Sequence, residues 1–357
     1  MNDTHPRIRD LLLAAVEAGA SDLHIVAGDP PTCRQHGRLK PIAEQPLDGE
    51  TIADMLASLC PDGLFDVVRE RKDLDFSFEI EAAGQCLRFR ANFFFNQQNI
   101  GACFRLIPST IPSFKWAGFP EGLAQRLAHF RNGLVLLTGV AGSGKTTTLA
   151  MIITMLNRGG NCRIITIEEP VEYQFPKCPG SIVTQREVGL DVPSFSAGLK
   201  HGLRQDPDVI LVGEIRDRDT AQMALSAAET GHLVFSTMHT RDAKGAITRF
   251  ADLFPQNVQN DVRAQLAMSL RAVVSQHLLP SVTPGAKREL AIEVLFNNMP
   301  VSVAIRQGKI ESIDNCIMTG KADGMITLDD SLRLLLQAER IDRKTAERFA
   351  TNSHLNF

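Results

Sequence analysis

Four short apolar runs follow one another after residue 130 and alternate with stretches that have the periodicity of helices. Runs that are apolar at nearly every position are typical of strands buried on both faces of a parallel sheet. The alternation predicts an α/β domain whose sheet is covered by helices. The predicted strands are Gly133 to Leu137, Arg163 to Ile167, Val209 to Val212 and Leu233 to Ser236, and the pattern beyond about residue 255 is mostly helical, over Val258 to Leu279, Leu328 to Ala338 and Arg343 to Ala350.

The chain before these runs predicts a smaller α+β domain. Prolines at 108, 112 and 120 each remove a backbone donor and restrict the preceding residue, so they predict an extended linker. We therefore expect an N-terminal domain over 1–107, a linker over 108–120 and the α/β domain over 121–357. The expected N-terminal elements are helices near Ile8 to Ala18 and Thr51 to Leu59, a strand around Asp22 to Val26, and short strands ending in Gln85 to Ile107.

The last of these strands predict a hairpin centred on the polar turn Asn96 to Asn99. One face of this hairpin places Arg90 directly opposite Arg105, a like-charge pair that is normally destabilising. Either an anion such as a nucleotide phosphate lies near both side chains, or they point into solvent or pair with separate carboxylates. The opposite face of the hairpin is apolar throughout, with Phe89 opposite Leu106, Ala91 opposite Phe104 and Phe93 opposite Ala102.

The first apolar run is followed by a G-x-x-x-x-G-K-[ST] pattern, which is typical of a phosphate-binding loop between a strand and a helix. Its glycines allow backbone N–H groups to turn towards an anion, and the helix over Thr147 to Leu156 adds partial positive charge. Lys145 supplies a full charge for the β- and γ-phosphates, and Thr146 supplies a hydroxyl for Mg²⁺. The residues expected to bind nucleotide here are Gly139, Gly142, Ser143, Gly144, Lys145, Thr146 and Thr147.

A carboxylate ends the apolar run that begins at Val209. Phosphoryl transfer to water requires a group that orients the nucleophile at the end of a strand near the phosphate loop, and Glu214 fits that role. The plainer alternative is that Glu214 caps the following turn. Gly213 stands where many P-loop enzymes have a metal-binding aspartate, so other acids are expected to supply the remaining Mg²⁺ ligands.

Those acids follow the strand Arg163 to Ile167, where Glu168, Glu169 and Glu172 surround Pro170. Because proline ends the strand, the three carboxylates are expected at its tip. An acidic cluster can also be an ordinary surface turn. In combination with the phosphate loop and Glu214, it predicts a Mg²⁺ or water site.

Two histidines and an arginine stand near the predicted strand ends. His232 and His239 bracket the strand from Leu233, and their spacing places them on opposite faces, which argues against a shared metal. A structural role is the plainer interpretation of each. Arg204 precedes the strand from Val209 and either senses phosphate or caps the chain locally.

Composition describes an ordinary globular protein, with 44% hydrophobic and 22% charged residues. The formal net charge of −3 gives no electrostatic signature of nucleic-acid binding, so no nucleic-acid partner is expected. Seven cysteines without a C-x-x-C pair indicate neither a zinc ribbon nor a disulfide framework. With no signal peptide or spanning segment in the pattern, we expect a cytoplasmic protein that reaches a membrane only through a partner.

Several motifs in this order resemble those of the secretion ATPases and, within them, the type IV pilus retraction ATPases (PilT-like). The resemblance covers most of the chain. Beyond the phosphate loop, the matching segments are Gly19 to His24, Phe89 to Asn92, Ile167 to Glu172, Thr184 to Val188, Leu203 to Asp217 and Ala228 to His239.

The resemblance implies an ATP- and Mg²⁺-dependent homohexameric motor for pilus retraction and twitching motility. It implies a RecA-like P-loop domain preceded by a PAS-like α+β domain, whose arginines Arg90 and Arg105 reach the nucleotide phosphates. It also implies that Glu172 is the working acid of its box, that Glu214 is the catalytic glutamate and that His239 senses nucleotide state. The implied Mg²⁺ ligands are Thr146, Glu172 and Glu214, the further nucleotide-binding residues are Glu168 and Arg204, and the implied partners are an inner-membrane pilus platform protein and a paralogous pilus ATPase.

The sequence departs from the family pattern in two places. Glu169 replaces the usual aspartate of the Glu-Asp-Pro box, and the segment Val301 to Gly308 differs from the late helix of retraction motors. The four-cysteine zinc site of assembly ATPases is also missing, which favours the retraction branch or its accessory paralogue. A type II or type IV secretion motor and a nucleotide-binding regulatory subunit are the remaining alternatives.

Overall fold

The computed structural model describes residues 4–35, 38–61, 63–82, 84–107, 110–283 and 285–351, and the chain forms two compact units. Unit 1 contains Met1–Thr110 together with the short stretches Glu169–Gln174 and Glu187–Asp191, and unit 2 contains the rest. The sequence assigns both short stretches to the second domain. Pro108 and Ser109 of the expected linker lie outside the described residues, as do the terminal residues 1–3 and 352–357 of the expected domains, and the domain boundaries stay a prediction.

Unit 1 is built on an antiparallel sheet. Within its described residues, six strands lie in the order β3-β2-β1-β6-β5-β4. The strands are β1 (Asp22–Ile25), β2 (Thr32–Gln35), β3 (Arg38–Pro41), β4 (Asp73–Ala82), β5 (Gln85–Asn96) and β6 (Asn99–Ile107), and the helices are α1 (Pro6–Glu17), α2 (Gly49–Ala57) and α3 (Leu64–Arg71).

The hairpin of β5 and β6 has the register that the sequence predicts. Arg90 lies opposite Arg105, and the predicted apolar pairs, from Phe89 with Leu106 to Phe93 with Ala102, are all present. The ring of Phe104 packs edge-on against the ring of Phe93, with 5.9 Å between their centroids. The apolar face is therefore buried in the core of unit 1, and the polar face carries the arginines.

Unit 2 is a mixed sheet covered by helices. Within the described residues its strand order is β13-β12-β7-β11-β10-β8-β9. The strands are β7 (Gly133–Thr138), β8 (Cys162–Glu168), β9 (Ser181–Glu187), β10 (Val209–Val212), β11 (Leu233–Met238), β12 (Leu270–Leu279) and β13 (Glu289–Phe296). The helices are α4 (Phe114–Ala117), α5 (Glu121–Ala128), α6 (Lys145–Gly159), α7 (Phe195–Gly202), α8 (Arg218–Glu229), α9 (Ala243–Asp252), α10 (Gln259–Ser269), α11 (Met299–Arg306), α12 (Ile313–Thr319), α13 (Leu328–Gln337) and α14 (Arg343–Phe349).

The four apolar runs form the parallel centre of this sheet, as predicted. β7 pairs with β11, β11 with β10, and β10 with β8, each in parallel. All four strands are almost entirely buried, which accounts for their lack of polar alternation. Their carboxyl ends meet at one edge of the sheet, which is called the carboxyl edge below.

The prediction of a helix over Val258 to Leu279 is wrong beyond Ser269. Helix α10 ends there, and Leu270–Leu279 forms β12, parallel to β7 and antiparallel to β13. This run is apolar at most positions and contains the β-branched pair Val273 and Val274, so it suits a strand buried between two neighbours. A short apolar run cannot be assigned to helix or strand by periodicity alone.

Side-chain caps begin the helices that follow two strands of the carboxyl edge. Asp217 accepts a hydrogen bond from the Thr220 N–H at the start of α8, and Asp242 accepts one from the Gly245 N–H at the start of α9. An N-cap carboxylate satisfies a backbone donor that the helix leaves unpaired. These caps fix the starts of α8 and α9 and so bound the loops that carry Glu214 and His239.

In the part of the chain that the structure describes, no helix has the length and apolar character needed to cross a bilayer.

Candidate active site

The phosphate loop, residues 139–146, joins β7 to α6. Gly139, Gly142 and Gly144 all have positive φ, at 146°, 74° and 90°, a region that side chains with a Cβ rarely adopt. A Cβ added at Gly139 would lie 2.5 Å from the carbonyl oxygen of Gln276 and 2.5 Å from Ser143 Oγ. The loop backbone therefore requires glycine at its first position for space as well as for conformation.

Lys145 is held at the mouth of this loop. Its side chain is largely buried, with the residue 7% exposed, and Nζ donates to the carbonyl oxygens of Gly139 at 2.7 Å and Val140 at 3.1 Å. Thr146 and Thr147 follow it in the first turn of α6. Ser143 Oγ is buried and has no hydrogen-bond partner among the described residues. A buried hydroxyl beside turned N–H groups, a lysine and a helix N-terminus is the chemistry that binds phosphate.

Glu214 and His239 come together at the carboxyl edge. Glu214 follows β10 and His239 follows β11, and His239 Nε2 lies 3.3 Å from Glu214 Oε2. Arg216 also pairs with the Glu214 carboxylate. The Glu214 side chain is 13% exposed, whereas that of His239 is 49% exposed. The carboxylate is thus enclosed by two basic side chains from neighbouring loops.

Lys145 and His239 interact electrostatically. Burial, followed by the positive charge of Lys145, lowers the pKa of His239 below its ordinary value of 6.5, although Glu214 acts in the opposite direction. This environment favours the uncharged form of His239, whose Nε2 lies within reach of the Glu214 carboxylate. The structure brings the phosphate loop, Glu214 and His239 to one edge of one sheet. β11 lies between β7 and β10, so the glutamate strand is one strand away from direct pairing with the loop strand.

Threonine side chains at the strand ends fix this edge. Thr138 Oγ1, at the end of β7, donates to the carbonyl of Thr240 at 2.7 Å and accepts from its N–H at 3.0 Å. Thr237 Oγ1, in β11, donates to the carbonyl of Gly213 at 2.7 Å, and the Thr237 carbonyl accepts from the Ile215 N–H at 3.0 Å. These bonds bracket Glu214 and His239. Sequence reasoning missed both threonines, although Thr138, which ends the otherwise apolar β7, offers a signal in the sequence.

The surroundings of Gly213 explain why glycine, and not a metal-binding aspartate, precedes Glu214. Its N–H donates to the Ile167 carbonyl at 2.8 Å. A Cβ at this position would lie 3.3 Å from the same carbonyl oxygen and 3.3 Å from the Phe195 ring. The site is thus crowded by β8 and α7, and an aspartate would displace its neighbours.

Two predicted ligands of unit 2 have other surroundings. Glu168 is buried at the end of β8, where its Oε1 accepts from Thr166 Oγ1 at 2.6 Å and from Gln185 Nε2 at 3.2 Å. Arg204 is exposed between α7 and β10, at the amino ends of the parallel strands and so at the edge opposite the phosphate loop. The structure therefore does not bring Arg204 to the loop of its own chain, and its nucleotide role stays a prediction.

The two hairpin arginines of unit 1 have separate carboxylate partners. Arg90 Nη2 lies 3.1 Å from Asp75 Oδ1, and Arg105 Nη2 lies 2.7 Å from Asp22 Oδ1. Burial raises the pKa of Asp22, but the bonded Ser21 hydroxyl and Arg105 together hold it below its ordinary value. Of the alternatives left open by the sequence, pairing with separate carboxylates is the one present. Contact of either arginine with a phosphate stays a prediction, as does the role of Glu172 in unit 1.

The donor set fits Mg²⁺ held together with a nucleotide better than a metal held by protein alone. Among the described residues, no three His, Cys, Asp or Glu side chains cluster closely enough to hold a metal ion. Mg²⁺ in nucleotide sites keeps several waters and takes few protein ligands, the phosphates supplying the others. Thr146, with Glu214 acting through water, is consistent with such a site.

This constellation on a sheet of this strand order defines a P-loop ATPase of the RecA-like class. The chain matches the family model described as type II/IV secretion system protein over residues 3–352. It therefore belongs to that family of secretion ATPases, as the sequence motifs indicate.

The similarity extends over nearly the whole chain. It is 40% identical over 341 residues to the type IV pilus retraction ATPase PilT of Pseudomonas aeruginosa, covering 95% of this chain and 96% of that protein. It is 37% identical to the type IV pilus ATPase PilU of the same organism, covering 92% and 85%. A crystal structure of the pilus retraction motor PilT with bound ADP superposes with a TM-score of 0.84 at 39% identity and 97% coverage of both chains.

The loop geometry predicts that Gly139→Ala weakens nucleotide binding. The added Cβ would collide with the Gln276 carbonyl and force the loop out of its turn, so we expect ADP affinity to fall at least about tenfold. Titration with a fluorescent ADP analogue measures this change. Gly122→Ala in α5, where a Cβ meets nothing within 4 Å, is the matched control. Equal affinity of both variants would contradict this account of the loop.

The loop after His239 predicts a pH-dependent stability. Burial raises the pKa of Glu293, whose Oε1 accepts from the Ala243 N–H at 2.7 Å, from 4.5 to about 7. Because the folded pKa is raised, the neutral acid contributes stability that is complete below the unfolded pKa and is lost as pH rises through about 7. Glu293→Gln keeps the acceptor and removes the titration.

We therefore expect the stability of wild type to fall relative to Glu293→Gln by up to about 3 kcal/mol between about pH 5 and pH 8. Thermal unfolding of both proteins across this range measures the difference. Glu289→Gln cannot serve as control because Glu289 pairs with Arg340, so the exposed Glu229→Gln is used instead. Parallel pH profiles for wild type and Glu293→Gln would exclude the titration of Glu293.

Proposed function

We propose that this chain is the subunit of an ATP-hydrolysing, Mg²⁺-dependent hexameric motor that powers type IV pilus retraction and thereby twitching motility. The observation that carries the proposal is the full-length similarity to PilT together with the closed arrangement of the phosphate loop, Glu214 and His239. The proposed partners are further copies of the chain, an inner-membrane pilus platform protein and a paralogous pilus ATPase. The motor would work in the cytoplasm and meet the membrane through the platform protein.

Lys145 and the loop N–H groups bind the phosphates in this proposal. The ammonium of Lys145 is held by two loop carbonyls, so it is positioned before substrate arrives and loses little conformational freedom on binding. Thr146, with Glu172 and Glu214 acting through water, would hold Mg²⁺, which would supply positive charge for the phosphate oxygens. The remaining proposed nucleotide-binding residues are Gly139, Gly142, Ser143 and Gly144 in the loop and Thr147 in the first turn of α6.

Glu214 orients the attacking water and accepts a proton from it in this proposal. The Glu214 carboxylate contacts both Arg216 and His239, and these two contacts set its direction. A fixed acceptor near the γ-phosphate lowers the entropic cost of bringing water into line. The contact between His239 and Glu214 provides a physical route by which His239 can sense nucleotide state, since His239 also experiences the charge at Lys145.

The chemistry predicts different effects for two variants. Lys145→Ala removes the positive charge that binds the phosphates, so nucleotide affinity and turnover both fall, each at least about a hundredfold. Glu214→Gln keeps the size of the side chain but cannot accept a proton, so turnover falls by a similar factor while ADP binds normally. Phosphate release and ADP titration measure the two quantities, with the exposed-residue variants Lys200→Ala and Glu229→Gln as matched controls. Retained turnover in Glu214→Gln would refute the assigned role, and absence of turnover in wild type would favour a regulatory subunit.

Deletion of the gene tests the biological role. A retraction motor predicts hyperpiliated cells without surface motility, because pili are assembled and not withdrawn. The similarity to PilU supports an accessory pilus ATPase as a second candidate, for which deletion leaves measurable retraction. Loss of pili would indicate assembly, and unchanged pili with a secretion defect would indicate a secretion motor.

A further inference from the structure

Arg88 in β5 is a buried arginine that the nucleotide chemistry above does not use. The residue is 7% exposed, and its Nε donates to Glu79 Oε1 at 2.9 Å. The other end of the guanidinium leaves the sheet, since Nη1 donates to the carbonyl of Glu172 at 2.9 Å and Nη2 to the carbonyl of Val171 at 3.0 Å. Arg88 thus joins β5 to the stretch Glu169–Gln174, which is called the acidic segment below.

Glu187 holds the same segment with the opposite charge. It is 4% exposed at the end of β9 and accepts from the Val171 N–H at 3.0 Å. It also accepts from the backbone N–H of Ser77 at 3.0 Å and from Ser77 Oγ at 2.7 Å. Ser77 lies in β4, so Glu187 ties the acidic segment to the strand beside that of Arg88.

These contacts fix the backbone on which Glu172 stands. The Val171 N–H, the Val171 carbonyl and the Glu172 carbonyl are each bonded to a buried charged side chain. Gln174 Nε2 adds a bond to Glu79 at 2.6 Å. Displacing the segment would leave a buried guanidinium and a buried carboxylate short of partners, which is costly. The segment is therefore held in place by long-range side-chain bonds rather than by a strand ladder.

We propose that Arg88 is a positioning residue that sets the orientation of the Glu172 carboxylate for ATP hydrolysis. The inference rests on the proposed catalytic role of Glu172. Arginine suits the task because its planar fork bonds one carboxylate and two carbonyls at once, which a lysine ammonium cannot match in geometry. The assignment separates Arg88 from Arg90, two positions along the same strand face, whose partner is Asp75.

The first measurement compares Arg88→Met, Arg88→Lys and Phe89→Leu. Met removes the donors and keeps a long side chain, whereas Phe89→Leu perturbs the adjacent core position of β5 on the opposite face. We expect kcat for ATP to fall at least about tenfold in Arg88→Met with ADP affinity within about twofold, an intermediate kcat in Arg88→Lys and near-normal kcat in Phe89→Leu. A kcat loss in Phe89→Leu equal to that in Arg88→Met would overturn the proposal, because it would make general loss of stability the cause.

The second measurement is a double-mutant cycle with Glu172→Gln, read by single-turnover hydrolysis. If Arg88 acts through the Glu172 carboxylate, Arg88→Met adds little further loss in the Glu172→Gln background. Losses that multiply would overturn the proposal, since they would show that the two residues act independently. A normal rate in Glu172→Gln alone would overturn it as well, and with it the assigned role of Glu172.

The third measurement does not depend on turnover. Amide hydrogen exchange in peptides covering residues 171–175 should be faster in Arg88→Met than in wild type, and unchanged in Phe89→Leu. The reason is that the carbonyls of Val171 and Glu172 lose their bonds to Arg88 in the Met variant, so the segment opens more often. Unchanged exchange in Arg88→Met would overturn the proposal. If wild type hydrolyses no ATP, the proposed function fails, and this exchange experiment still decides whether Arg88 fixes the segment.

Discussion

The carboxyl edge of the parallel sheet depends on hydrogen bonds from threonine side chains to loop backbone. The hydrogen bonds between strands fix the backbone only as far as the last residue of each strand, so the loop that follows needs other hydrogen-bond partners. Thr138 provides both a donor and an acceptor for Thr240, and Thr237 holds the carbonyl before Glu214. Because Glu214 and His239 lie between these bonds, their 3.3 Å contact is a property of the sheet edge rather than of flexible loops. Backbone order at this edge is what brings the Glu214 carboxylate and the His239 imidazole together beside the phosphate loop.

Much of this arrangement follows from the sequence because it rests on local patterns. Wholly apolar runs located the parallel strands, and the pattern of faces gave the register of the β5–β6 hairpin residue by residue. The phosphate loop followed from its glycines, whose positive φ values confirm why the pattern requires them. The strand β12 was missed because the apolar stretch follows α10 directly, and no feature of the sequence indicates where the helix ends. Its assignment depends on partners β7 and β13, which lie far away in sequence.

The candidate site was harder to predict where long-range bonds between charged groups matter. The sequence left either a bound anion or separate carboxylates as the explanation for the face of Arg90 and Arg105. The structure shows pairing with Asp75 and Asp22 inside unit 1, and contact with a phosphate stays a prediction. Like-charge opposition in a ladder therefore identifies a need for acids and not the identity of those acids. Arg88, Ser77 and Glu187 were missed for a related reason. The bond from Arg88 to Val171 and the bond from Ser77 to Glu187 each join positions more than 80 residues apart. The bond between Val171 and Glu187 spans a shorter stretch of chain. No periodicity in the sequence indicates any of these bonds.

The acidic box, which the sequence presents as one cluster, is divided by these bonds. Glu168 is bonded to Thr166 and Gln185 within unit 2, whereas the backbone at Glu172 is bonded to Arg88 within unit 1. Pro170 stands between the two sets of bonds, and proline offers no N–H for either. Two glutamates four residues apart are thus held by bonds within different compact units, Glu168 through its side chain and Glu172 through its backbone. The spacing of the carboxylates along the chain therefore does not predict which unit holds each of them.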